Sequence, residues 1–496
     1  MADSHQHSRH TASKTWIVIT VMLAMMLAAL DMTIVGTAMP SIISDLHGLA
    51  IYSWVFSAYL LASTVPVPIF SKLADIYGRK KLFIVGTFIF TIGSLLCGLS
   101  SNMIELIIFR AVQGLGAAGV LPIALTIIGD VFTLEQRARI QGLFSGVWGV
   151  SAVVGPLLGA LIVEHSNWRW VFDLNVPIGI LVILILWIAF KEEIHSTKHR
   201  LDWNGTILLS VGVTTMLLAL VSHISRGDTI LLSLITGITL IGFIWWERRA
   251  AEPVLPGVLF QNRMVVVSNS VNFFAGAVMF GLISYVPLYV QGVLGGSPTL
   301  AGQAITPMLI GWPLASLIAG PIFVRIGFRL LGIVGGVLIA SGSGLLISSH
   351  QFEEWIMNIS LFAIGIGMGL SLTGLLIAAQ NVVPWNLRGT VTGASQFFRT
   401  IGGSIGVALM GAVLNDQLAL RTLHGKSAVN AGQVTADLLS SHARSALNPG
   451  LRHFFAHVLG GSLYDVFVVG FLFSLVVTIL VFFIPGDKIQ PQTIQA

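Results

Sequence analysis

The chain has 496 residues, of which 55% are hydrophobic and only 9% charged, against roughly 25% charged for a soluble globular domain, so a water-soluble fold is excluded. A formal net charge of +5 would suit nucleic acid in a soluble protein, but in so apolar a chain the basic residues act first as membrane topology signals. The single cysteine, Cys97, excludes an internal disulfide and a cysteine-based metal site.

Taken in chain order, apolar runs long enough to span a bilayer predict fourteen helices near 16–40, 52–70, 82–100, 104–130, 140–163, 170–190, 204–222, 230–246, 265–290, 299–324, 330–349, 356–380, 393–417 and 463–484. The first run is too long for a cleaved signal peptide and is expected to be retained. With the N-terminus inside, cytoplasmic segments hold 18 of the 26 Lys and Arg and outer loops hold 6, while Arg110 and Arg399 lie within helices. This bias places both termini in the cytoplasm and requires an even number of spans.

Asp31 lies two thirds of the way along the first helix, in LDMTIVGTAMP. A short acidic side chain at that depth cannot reach bulk water, and burial disfavours its charged form, which suits proton uptake and release. The alternative is a structural acid bonded to Thr33 or to another helix. The segment SKLADIYGRKK, 71–81, combines a tight turn at Gly78 with Asp75 and Arg79, as expected of a latch between helix ends. It has an echo 249 residues later in GPIFVRIGFR, where Gly327 stands for Gly78 and Val324 for Asp75. Such an echo suggests two related halves, the usual construction of secondary transporters.

Arg110 in the fourth helix is a functional candidate because an intramembrane arginine is costly. Snorkelling to the outer surface, helped by Glu105, is the alternative. Asp173 near the outer end of the sixth helix is a second candidate for coupling or substrate binding. In the second half, 263–415 holds only Glu353 and Glu354 as acids, both assigned to an outer loop, so carboxylate proton chemistry belongs mainly to the first half. Asn269, Asn272, Tyr285, Gln303 and Gln396, with Phe273, Phe274 and Phe280, are candidates for a lipophilic cavity or for helix packing. Arg399 is a candidate gate or packing residue. All thirteen histidines fall in tails, loops or span ends, which argues against an intramembrane metal site, and no P-loop occurs that would supply energy from ATP. The long segment 418–462 carries an apolar helical face at Leu451, Phe454, Phe455, Val458 and Leu459, which predicts a helical hairpin over the outer side.

These elements together resemble the major facilitator superfamily, in particular its fourteen-span drug:proton antiporter branch of QacA/EmrB type. The resemblance rests on LDMTIVGTAMP, SKLADIYGRKK, RAVQGLGAAG, VWGVSAVVGPLLGA, WRWVFDLNVPIG, YVPLYVQGVLGGSPTLAGQAITP and SQFFRTIGGSIGVAL in this order. It implies that Asp31 binds protons or cationic drugs, that Asp75, Gly78 and Arg79 belong to a cytoplasmic gate, and that Arg110 takes part in proton transfer. It also implies that Gly155, Pro156 and Gly159 form the antiporter motif that shapes the fifth helix against the other half. Ser71, Ile76, Ser151 and Ala160 depart from the family pattern, and Ile76 removes one gate charge.

The resulting expectation is an all-α polytopic membrane protein of the major facilitator fold. A six-helix bundle over 1–200 is followed by two inserted helices in 201–250, then by a second six-helix bundle over 251–496 that includes the hairpin. The function implied is proton-coupled multidrug efflux by alternating access in a bacterial cell membrane. Its partners are lipid, protons and small lipophilic drugs or dyes, with no nucleic acid and no cofactor beyond the proton gradient. A proton-coupled carrier of a metabolite or organic anion, bound by Arg110 and Arg399, is the alternative; a membrane-embedded enzyme or receptor is disfavoured by the lack of a catalytic cluster.

Overall fold

The computed structural model describes residues 2–131, 134–189, 202–221, 226–250, 253, 257–348, 354–383, 388–423 and 449–485. Among these residues the regular structure is entirely helical. Backbone polar groups cannot be left unpaired in hydrocarbon, and a helix satisfies its own. Among the described residues, eleven helices are long and apolar enough to cross a membrane, and shorter apolar helices at Leu49–Thr64, Gly149–His165 and Trp203–Ala219 correspond to the expected second, fifth and seventh spans.

The described residues form two compact units. The first comprises Met1–Val254, Ile283–Thr306 and Val407–Leu463, and the second Leu255–Leu282, Pro307–Gly406 and Tyr464–Ala496. The first unit opens with α1 (Ala2–Leu46), which stops where His47 and Gly48 turn left-handed with φ of 56° and 86°. The expected second span is divided into α2 (Ser53–Thr64) and α3 (Val67–Tyr77) at Pro66, since proline removes a helix donor and crowds the preceding turn. α4 (Arg79–Leu99) follows after one residue, then α5 (Met103–Val131) and α6 (Leu134–His165). The sixth span begins with the short α7 (Trp170–Asp173) and continues as α8 (Asn175–Ala189). α9 (Trp203–Val221) and α10 (Arg226–Glu247), the expected insertion, pack mainly on each other, with α9 also touching α2.

α11 (Arg263–Gly292), α12 (Pro298–Ile326) and α15 (Arg388–Leu423) contribute to both units, whereas α13 (Phe328–Ser348) and α14 (Glu354–Asn381) lie within the second. α16 (Pro449–Phe482) is one continuous helix into which Leu451, Phe454, Phe455, Val458 and Leu459 are absorbed. Residues 424–448, the remainder of the expected hairpin, lie outside the described residues.

The internal echo has a structural counterpart. Gly78 and Gly327 are each the single residue between two helices, with φ of 96° and 83°, a backbone that side chains with a Cβ rarely adopt. The helices that follow also pack alike. In α4 and α5, a methyl on Gly86 would stand 3.1 Å from the Gly116 carbonyl oxygen; in α13 and α14, a methyl on Gly335 would stand 2.6 Å from that of Gly367. Further along, Gly93 faces the backbone of Gln113, and Gly342 faces the Ser360 carbonyl and Ile364. The two helix pairs are therefore built to one plan, in which small residues let the backbones approach.

Candidate functional site

Within the first unit, α1, α4, α5 and α8 converge on a polar cluster sealed from solvent. Asp31 and Arg110 are each 1% exposed and form an ion pair of 2.5 Å between Oδ2 and Nη1. Gln113, one turn beyond Arg110, donates to Asp31 Oδ1 at 2.8 Å and accepts from Arg110 Nη1 at 2.7 Å. Asn175 donates to the same Asp31 oxygen at 3.3 Å and to Ser94 Oγ at 2.9 Å, while Ser94 donates to the Phe172 carbonyl at 2.8 Å. Arg110 Nε donates to the Val55 carbonyl at 3.4 Å, and the guanidinium sits 4.1 Å from the Tyr59 ring centroid.

Local sequence explains this convergence. Arg110 and Gln113 share a face of α5 at i, i+3 spacing, and Gly93 clears the way for Gln113 because a methyl there would lie 2.5 Å from the Gln113 nitrogen. Desolvating two charges costs several kcal/mol per ion unless the pair is well aligned and its remaining donors and acceptors are satisfied. Here both Asp31 oxygens are occupied, and Arg110 has a backbone acceptor and an aromatic face in addition to its carboxylate.

Asp31 is buried as expected and is bonded to other helices, through Arg110, Gln113 and Asn175. Thr33 is not its partner; that hydroxyl donates instead to the carbonyls of Leu30, at 3.0 Å, and Ser151, at 3.1 Å. Gln113, Asn175 and Ser94 complete the cluster and were not singled out from sequence, although Gln113 and Asn175 lie inside the motifs around Arg110 and Asp173. A buried amide at i+3 from an intramembrane arginine was the available signal.

The other candidates lie elsewhere. Glu105 caps the start of α5, where its carboxylate accepts from the Ser101 N–H at 2.8 Å and its own N–H donates to Asn102 Oδ1 at 2.9 Å. Asp173 is partly exposed and sits against Gly98, where an added methyl would meet Oδ1 at 2.5 Å. Asp75 lies in α3, and its side chain is outside the described residues; Gly78 makes the turn, and Arg79 opens α4. Gly155 and Gly159 face Thr33 and Thr37 of α1, and the Pro156 carbonyl faces Gly302 of α12. Asp45 also makes a bridge that sequence did not suggest, accepting from Arg169 Nη1 and Trp168 Nε1 at 2.9 Å each.

Tyr285, on the part of α11 that belongs to the first unit, packs edge-on against Tyr52 with centroids 5.6 Å apart, and its hydroxyl donates to the Val407 carbonyl at 2.9 Å. Asn415 donates to the Ala50 carbonyl at 2.7 Å. In the second unit, Asn272 donates to the Ser268 carbonyl of its own helix at 2.9 Å, and Arg399 donates to Gln396 and stacks 5.1 Å from the Trp312 ring centroid. Among the described residues, no group of His, Cys, Asp and Glu side chains is arranged to hold a metal ion.

Residues 21–407 match the family model described as Major Facilitator Superfamily. A relative described as multidrug transporter protein MdtP of Bacillus subtilis is 39% identical over 82% of this chain and 76% of its own length. Another from the same organism, described as multidrug resistance protein 3, is 33% identical over 97% of this chain and 96% of its own. In fold, the chain resembles a bacterial homolog of the human lysosomal transporter Spinster, with a TM-score of 0.67, 17% identity and coverage of 95% and 96% of the two chains.

Proposed function

The chain belongs to the Major Facilitator Superfamily and is a transporter rather than an enzyme, and on that premise we propose that it is a proton-coupled exporter of lipophilic, often cationic compounds. It would reside in the cell membrane with both termini in the cytoplasm. The resemblance to a multidrug transporter and a multidrug resistance protein supports the substrate class. The observation that carries the coupling is the buried Asp31–Arg110 pair with its amide partners.

Protonation of Asp31 removes the negative member of the pair and leaves the Arg110 guanidinium buried without a counter-charge. That state is costly, so gain or loss of one proton biases the helices α1, α4, α5 and α8 between two arrangements. Proton release on one side and uptake on the other then drive the alternation. An exchange of one proton for one monovalent cation moves no net charge and draws only on the pH difference, about 1.4 kcal/mol per tenfold gradient. Monovalent or neutral substrates should therefore be handled better than divalent ones. An anion carrier built on Arg110 is less well supported, because Asp31 already neutralises that guanidinium.

The test is pH-gradient-driven uptake of a fluorescent lipophilic cation into everted vesicles, with proton movement followed by a pH-sensitive dye. Wild type should accumulate the cation and release protons on its addition, and folded Asp31→Asn should do neither. Equal, gradient-dependent transport by both would remove Asp31 from the coupling role.

A further inference from the structure

The proton-coupling cluster leaves one intramembrane charge unused. Arg399 is the twelfth residue of α15, about 16 Å along the helix axis from its first residue. A long side chain there reaches no helix end. Its guanidinium has five N–H donors, and the single side-chain acceptor it meets among the described residues is Gln396. No carboxylate pairs with it among the described residues, and from Arg263 to Asn415 the only acids in the sequence are Glu353 and Glu354.

The surroundings are polar and aromatic. Trp312 covers one side of the guanidinium, with its ring centroid 5.1 Å away. Trp312 shares a face of α12 with Ser316, whose hydroxyl accepts from Thr373 at 2.9 Å. The exposed apolar side chains of α12, Leu314, Leu317 and Ile318, occupy the opposite face. Arg399 is partly exposed and Gln396 exposed.

We infer that Arg399, with Gln396 and Trp312, forms a subsite for a carboxylate carried on an aromatic solute. A guanidinium matches a planar carboxylate with two parallel hydrogen bonds, and the Trp312 ring offers surface for the aromatic body. This deepens the exporter reading and rests on it for the claim that the bound solute is transported. It extends the substrate class from lipophilic cations to amphoteric aromatic compounds. A lipid phosphate presents the same oxyanion chemistry, so the test must separate the two sources.

Equilibrium binding is measured by fluorescence polarisation on the purified full-length protein in bilayer discs, using a carboxylate-bearing rhodamine and its methyl ester. Wild type should bind the free acid at least about tenfold more tightly than Arg399→Gln does, as expected for loss of charge-assisted hydrogen bonds. Arg399→Lys should restore part of that affinity, and binding of the ester should change less than about twofold. Unchanged acid binding in Arg399→Gln, or an equal loss for acid and ester, overturns the proposal. If Arg399→Gln does not fold, a wild type that binds the ester as well as the acid overturns it. Acid binding that disappears in phosphatidylglycerol discs but persists in phosphatidylcholine discs, with phosphatidylglycerol co-purifying with wild type and not with Arg399→Gln, assigns the site to lipid and likewise overturns it. Acid binding that depends on Arg399 without gradient-driven uptake of either dye would sink the exporter reading while leaving the subsite in place.

Discussion

Replacing Asp31 by asparagine keeps the size of the side chain and an oxygen that Gln113 and Asn175 can still reach. It removes only the charge opposite Arg110, a guanidinium 1% exposed. Breaking a buried pair from one side costs about 3–5 kcal/mol, and the lower figure applies here because the unfolded chain in a membrane finds partial substitutes. Converting Arg110 to leucine as well should recover much of that loss, since Leu361 occupies the corresponding position in α14, one turn before Ile364, and is fully buried. The coupling in the resulting double-mutant cycle should be at least about 2 kcal/mol, well outside the roughly 0.5 kcal/mol within which independent sites add. Reversible unfolding in mixed detergent micelles provides the free energies and shows that the doubly substituted protein folds, and vesicle transport shows that it has lost coupling. A single variant within about 0.5 kcal/mol of wild type, or strict additivity, would refute the idea that the pair is a desolvated ion pair.

Four further outcomes follow from the packing. Gly93→Ala should lower stability by about 1–3 kcal/mol and abolish gradient-driven uptake, because the added methyl meets the Gln113 backbone. Gly237→Ala in α10, with nothing within 4 Å of the new methyl, should leave both thermal midpoint and uptake unchanged. Gly78→Ala should cost about 1–3 kcal/mol in unfolding experiments, since φ of 96° with ψ of 142° is a conformation reserved almost entirely for glycine. Tyr285→Phe should cost about 1 kcal/mol through loss of its bond to the Val407 carbonyl, visible as a lower thermal midpoint with the Tyr52 ring contact kept.

Much of the architecture was legible because membrane-spanning helices announce themselves by length and hydropathy, so each expected span meets a helix. Gly78 and Gly327 could be matched from sequence because a one-residue turn demands the same residue type in both copies. The split of the second span at Pro66 and the short α7 were less legible, because apolar runs carry no mark where the helical ladder breaks. At the site, Asp31 and Arg110 stood out as lone charges in apolar runs. Their pairing did not, since it depends on how α1 and α5 pack, and hydropathy is silent about which helix faces which. Gln113 and Asn175 went unnoticed because a neutral amide is common in spans and acquires meaning only from the charge it touches.

The correspondence between Gly93 with Gln113 and Gly342 with Ile364 bears on how such a protein changes over generations. The two copies kept one packing scheme while only one of them retained ionisable chemistry at its crossing point. The first copy is thereby frozen: a single substitution of Asp31 or Arg110 strands a buried charge. The second, with Leu361 and Ile364 in the same places, is free to vary its polar residues one at a time. A shift in the range of compounds recognised should therefore arise by drift in the second copy, leaving the buried ion pair untouched.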